Sequence, residues 1–184
     1  TGKYPARTKS PGPGSQLNES EYTIAEALRD NGYSTLIAGK WHLSRGENGS
    51  SPDEQGFEKN YGGGDSGVPK SYFYPYNIQK RGRGNENAPD LTKLPEVEEG
   101  YHLTDQLTDL TLGWLDENYK NKKNRKPFFI YLSHYEVHTP FEGKSLLEEK
   151  YKIKKENLYR GENVQNEFLY ESTTGEKKLR QDNN

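Results

Sequence analysis

A chain of 184 residues is long enough for one domain with a core of its own. Its apolar residues plus glycine make up only roughly a third of it, against about 45–50% in an average globular protein, so the chain is expected to fold in places without closing a core alone. A net charge of −2 gives no general case for nucleic acid or an anionic membrane as partner, the absence of cysteine excludes disulfides, and no apolar run approaches the ~18 residues of a membrane span.

Residues 1–20 are rich in Gly, Pro, Ser and Lys and read as loop, with nothing resembling a signal peptide and no methionine at the start. At Thr23 a T-x-x-E capping box (Thr23, Glu26) predicts a helix through Ile24, Ala27, Leu28 and Asn31, ended by Gly32. YSTLIAG (33–39) predicts a short strand that runs straight into GKWHL (39–43). From 44 to 100 no segment keeps a period and more than half of the 19 glycines fall there, so it reads as a long Gly/Pro-rich loop insertion. Its YFYPY (72–76) offers either an aromatic platform for a sugar ring or packing against the body of the fold.

Leu103, Leu107, Leu110 and Trp114 share one helical face and predict an amphipathic helix capped by Thr104 and fading near Tyr119, with His102 a bystander ahead of it. The basic run KNKKNRK (120–126) reads as a solvated loop. PFFIYLS (127–133) is a continuous apolar run, the pattern of a strand covered on both faces. A weaker helix is expected over Ser145–Lys152, and residues 155–184 read as a charged, poorly defined tail. Helix and strand alternate, which predicts the α/β class with a mostly parallel central sheet flanked by helices. In such sheets ligands bind at the carboxyl ends of strands, where both GKWHL and SHYEVHTP (133–140) fall.

In an extended segment residues i and i+2 point to one side, so Lys40 and His42 are expected to converge while Trp41 packs away. Together they suit a tetrahedral oxyanion, the lysine supplying charge and the histidine a directional donor; a solvated lysine at a strand end is the plainer alternative. His134 and His138 have the i, i+4 spacing of zinc ligands on a helix, but the run before them is a strand, no Glu follows His134, and Thr139-Pro140 blocks a helix beyond. A loop that turns His138 into a site as donor or general acid fits better, beside the alternative of a packed or solvent-facing histidine. No G-x-S-x-G, P-loop or dinucleotide fingerprint is present, and YGGGDSG (61–67) lacks the G-K-[ST] ending that cradles phosphate.

TGKYPAR (1–7), YTIAEALRDNGYSTLIAGKWHL (22–43), QGF (55–57), SYFYPY (71–76) and PFFIYLSHYEVHTP (127–140), in that order, resemble the type I sulfatases, in particular bacterial enzymes related to arylsulfatase A and N-acetylgalactosamine-6-sulfatase. The resemblance implies an alkaline phosphatase-like domain that hydrolyses sulfuric esters, on a sulfated carbohydrate or an arylsulfate. In that family a formylglycine hydrate, made from the Cys or Ser of C/S-x-P-S-R, attacks sulfur. Lys40 and His42 match the lysine and histidine that hold the sulfate oxygens, His138 matches a third sulfate contact, and His134 is a looser match. The resemblance also implies a calcium ion and an exported, periplasmic or extracellular enzyme. C/S-x-P-S-R is absent, and the Asp-Asn pair of the calcium site has no counterpart, since DNN (182–184) lacks the strand context. The expectation is therefore an interior fragment of one sulfatase domain, inactive alone, whose nucleophile, calcium ligands and signal peptide lie in the missing remainder of its own domain. A related phosphoesterase and a non-catalytic relic that only binds oxyanions are the alternatives.

Overall fold

Thr23 starts the first helix in the way its sequence predicts. In the computed structural model, helix α1 (Ile24–Asp30) has a complete capping box: the Glu26 amide donates to the Thr23 hydroxyl at 3.1 Å and the Thr23 amide to the Glu26 carboxylate at 2.8 Å. The structure describes residues 1–9, 16–44, 50–65, 67–76, 91, 93–120, 123, 125–158, 169–171 and 177–179. They form two units, residues 1–142 and 143–184.

In the first unit strand β1 (Ser34–Gly39) is the middle strand of a three-stranded sheet. Strand β2 (Lys59–Tyr61) lies on one side and strand β3 (Phe128–Ser133) on the other, both parallel to it. Alternation along β1 builds two layers of core. Ile37 points to the α1 side, where it packs with Ala25 and Phe57. Ala38 points to the opposite side, into a cluster with Tyr72, Tyr76, Tyr135, Leu103 and Leu107. The two leucines belong to helix α2 (Leu103–Tyr119), so helices cover both faces of β1. Each fully buried aliphatic side chain here contributes about 1.5–3 kcal/mol.

Three expectations need correction. Residues 44–100 are not merely an insertion: they supply β2 and much of the buried interior, including Gln55, Gly56, Phe57, Tyr72 and Tyr76. The polar sequence Lys-Asn-Tyr of β2 gave no periodic signal, because a three-residue strand is fixed by its neighbour rather than by its own pattern. The run at β3 is not covered on both faces: β3 is an edge strand, and Phe128, Tyr131 and Leu132 are 42–47% exposed. Thr104 does not cap α2, whose cap position is His102; the Thr104 hydroxyl instead donates to the Glu136 carboxylate.

The tripeptide Gln55-Gly56-Phe57 joins α1 to β1. The Gln55 carbonyl accepts from the Thr23 hydroxyl at 2.7 Å, and the Gly56 carbonyl accepts from the buried Thr35 hydroxyl of β1 at 2.7 Å. Gly56 has φ +94°, and a Cβ there would sit 2.4 Å from the Glu26 amide nitrogen.

In the second unit helix α3 (Ser145–Leu158) extends six residues beyond its expected end, and its described side chains are all exposed. The described residues of the charged tail include a short antiparallel pair, β4 (Leu169–Glu171) and β5 (Lys177–Leu179). The run 120–126 lies partly outside the described residues.

Two glycines test this packing with opposite signs. Gly56→Ala is expected to cost about 1–3 kcal/mol from overpacking, with the strain of a left-handed alanine added. Gly113→Ala, on the open face of α2 with nothing within 4 Å, is expected to gain about 0.5–1 kcal/mol. Urea unfolding of both variants measures the contrast; equal midpoints would contradict the tight joint at Gly56.

Candidate active site

The site is set by a close approach at the carboxyl end of β1. Gly39 has φ +106° and pairs in register with Ser133 at the end of β3. A Cβ on residue 39 would lie 1.9 Å from the Ser133 carbonyl oxygen, so only glycine fits. That carbonyl accepts a 2.7 Å hydrogen bond from the Lys40 amide. The two chemically loaded segments, GKWHL and SHYEVHTP, therefore leave neighbouring parallel strands at the same edge of the sheet.

Beyond Gly39 the chain is no longer extended. His42 has φ +61°, in the left-handed region, so the same-side rule of a strand does not carry from Lys40 to His42. The reading of Trp41 holds: it packs edge-on to Phe57 at 6.0 Å, and its indole N–H donates to the Ser50 carbonyl at 2.9 Å. Lys40 and His42 are both half-buried.

A left-handed non-glycine residue costs about 1–2 kcal/mol, and backbone at Gly64 and Gly67 holds His42 in place against that cost. The His42 amide donates to the Gly64 carbonyl at 2.9 Å. Gly67 lies against the imidazole, where a Cβ would come within 2.4 Å of both Cε1 and Nδ1. The loop is itself pinned by buried Asn60, which donates to the Gly63 carbonyl at 2.9 Å and accepts from the Gly63 amide at 2.8 Å. The YGGGDSG glycines thus let backbone approach a histidine rather than a phosphate.

The loop after β3 carries the other two histidines. His134 is half-buried and its Nδ1 is buried without a hydrogen-bond partner among the described residues. His138 is exposed; its carbonyl accepts from the Tyr72 hydroxyl at 3.0 Å, and its Nδ1 lies 3.1 Å from the Thr139 hydroxyl. Between them Tyr135 is buried and donates to the Gly62 carbonyl at 2.8 Å, tying this loop to the one that seats His42. At its far end the Glu142 carboxylate accepts from the Ser71 hydroxyl at 2.7 Å and the Tyr72 amide at 2.8 Å. Burial first, then the facing carboxylates of Glu136 and Glu142, push the Tyr72 phenol well above its usual range, so it acts here as a donor.

Tyr72 and Tyr76 are thus core residues, and of the two readings of YFYPY the packing one holds. His102, expected to be a bystander, is buried between Tyr72, stacked at 5.9 Å, and Phe73, edge-on at 5.0 Å. Neither it nor Glu136 and Glu142 stood out, because nothing in spacing along the chain brings 102 to 136 and 142. His134 and His138 lie in a loop, not on a helix. Among the described residues no group of three or more His, Cys, Asp or Glu could hold a metal ion, so they do not fit a calcium site; 182–184 lies outside the described residues.

Gly67→Ala is expected to displace the His42 imidazole while the chain stays folded. The four histidines give four ring Cε1–H resonances, and the His42 resonance should shift with that of His102 unmoved; an unmoved His42 signal would refute the seat.

Comparison with known proteins then identifies the architecture. The sulfatase family model matches residues 1–180. An arylsulfatase of Hemicentrotus pulcherrimus is 32% identical over 134 residues, 67% of this chain and 23% of that protein. The uncharacterized sulfatase YdeN of Escherichia coli K12 is 29% identical, over 66% of this chain and 22% of that protein. An N-acetylgalactosamine-6-O-sulfatase of Bacteroides thetaiotaomicron is 25% identical, over 76% of this chain and 37% of that protein. The solved structure of Ps i-CgsB in complex with k-i-k-neocarrahexaose is 28% identical with a TM-score of 0.49, over 73% of this chain and 31% of that one. The chain thus spans well under half the length of these relatives, and with its family model matched from end to near end, it belongs to the sulfatase family.

Proposed function

We propose that this chain forms the lysine–histidine side of the sulfate pocket in an enzyme that hydrolyses sulfate esters. The observation that carries the reading is the junction of Lys40 with Ser133, which sends GKWHL and the His138 loop out from adjacent strand ends in a member of the sulfatase family. Lys40 supplies positive charge to the sulfate oxygens, His42 a directional N–H, and His138 a second one from the facing loop, with His134 beside it. The same groups, placed beforehand, stabilise the charge that the sulfate oxygens carry in the transition state. The chain has no cysteine and no C/S-x-P-S-R, so no attacking group is assigned to it. The formylglycine and calcium typical of the family would supply the attacking group and metal charge, and no described residue is assigned to hold either. A sulfated carbohydrate is the proposed substrate class, supported by the name of the N-acetylgalactosamine-6-O-sulfatase relative, and export from the cytoplasm is proposed from family membership.

Magnitudes rank the roles. A lysine about 4 Å from a sulfate oxygen is worth about 4 kcal/mol at an effective dielectric of 20, whereas a neutral donor nets about 1 kcal/mol. Lys40→Ala should therefore weaken sulfate binding to the chain about tenfold or more, and His42→Gln only several-fold, as read by titration of the histidine resonances with sodium sulfate. The chain alone should show no turnover of p-nitrophenyl sulfate; clear turnover lost in Lys40→Ala would overturn the division between binding residues here and an attacking group elsewhere.

A further inference from the structure

Three polar atoms around the His138 loop are buried without a hydrogen-bond partner among the described residues: His102 Nδ1, Glu136 Oε2 and His134 Nδ1. Such groups are rare because each costs the desolvation of an unpaired donor or acceptor. His102 Nδ1 lies 3.9 Å from Glu136 Oε1, the other oxygen of that carboxylate, which accepts from the Thr104 hydroxyl, a separation that one bridging water can close. The other ring nitrogen, Nε2, lies 3.4 Å from the Glu142 carbonyl oxygen and can donate to it. His102 is 8% exposed and held between Tyr72 and Phe73. One rigid imidazole at the start of α2 therefore spans both flanks of the loop that carries His138, and the same flanks are gripped by Thr104 on Glu136 and by Ser71 and the Tyr72 amide on Glu142.

We propose that His102 is a positioning residue for His138: by bridging Glu136 and Glu142 it fixes the loop between them and so the place of His138 at the oxyanion site. The inference rests on the sulfate-pocket reading for its purpose, but not for its geometry. It explains why an exposed histidine stands on a loop whose two ends are held by buried polar groups. Loss of such support typically moves a functional group by little, yet a displacement of about 1 Å costs about a hundredfold in rate where the group works.

The test uses this chain with 13C-labelled histidines, whose four ring signals report each site separately. His102→Phe keeps a ring beside Tyr72 and removes both nitrogens; Glu136→Gln changes charge and hydrogen bonding with no change of shape. Both should shift or broaden the His138 signal, leave that of His42 in place, and abolish the response of His138 to added sulfate while that of His42 persists. If His102→Phe does not fold, Glu136→Gln carries the test alone. An unmoved His138 signal in the folded Glu136→Gln variant, with only a lowered melting temperature, would reduce His102 to packing and overturn the proposal. Failure of the unsubstituted chain to respond to sulfate at His42 and His138 would instead refute the pocket, while the variant-induced shift of His138 would still support the positioning.

Discussion

The whole arrangement depends on position 39 having no side chain. The Ser133 carbonyl occupies the space a Cβ would need, and with that space free it reaches the Lys40 amide at 2.7 Å. Because β1 and β3 are parallel, their carboxyl ends lie at the same edge, so one hydrogen bond there joins two segments more than ninety residues apart in the chain. Any larger residue at 39 would part them and with them the lysine and histidine side chains they carry.

The sheet that presents this edge is unevenly covered. β1 is buried on both sides, by α1 with Phe57 and by α2 with the tyrosines of 72, 76 and 135. β3 bears an apolar sequence but stands at the edge, with three large side chains well exposed. Parallel sheets are normally covered on both faces, and a chain so poor in apolar residues has little left with which to cover β3. That imbalance accords with a chain that spans under half the length of its sulfatase relatives.

Stiffness at the site comes mainly from backbone approach and buried polar bonds rather than from hydrophobic packing. His42 adopts a left-handed conformation, the loop of glycines 62–64 and 67 closes on it, and Asn60 holds that loop. Tyr135 then couples it to the His138 loop, and Glu136 and Glu142 couple that loop to α2 and to the 71–73 turn. The proposed anion site would benefit from such construction, since donors that are already oriented need no reorganisation when charge develops.

The sequence alone determined the local elements and the chemistry on offer. Thr23 and Glu26 specify the start of α1, the leucines at 103 and 107 with Trp114 specify the buried face of α2, the apolar runs at 34–39 and 128–133 specify two strands, and their alternation with helices specifies a parallel sheet. It also singled out Lys40, His42, His134 and His138, because GKWHL and SHYEVHTP follow predicted strands at their carboxyl ends and resemble sulfatase motifs. Tertiary structure decided the rest. β2, the burial of YFYPY, the exposure of β3, the turn at His42 and the placement of His102 beside Glu136 and Glu142 all arise from contacts between residues far apart in sequence. A hydrophobic period or a capping box is written within a few residues, whereas which backbone a glycine lets approach, and which carboxylate a buried imidazole meets, is fixed only once the strands have been placed side by side.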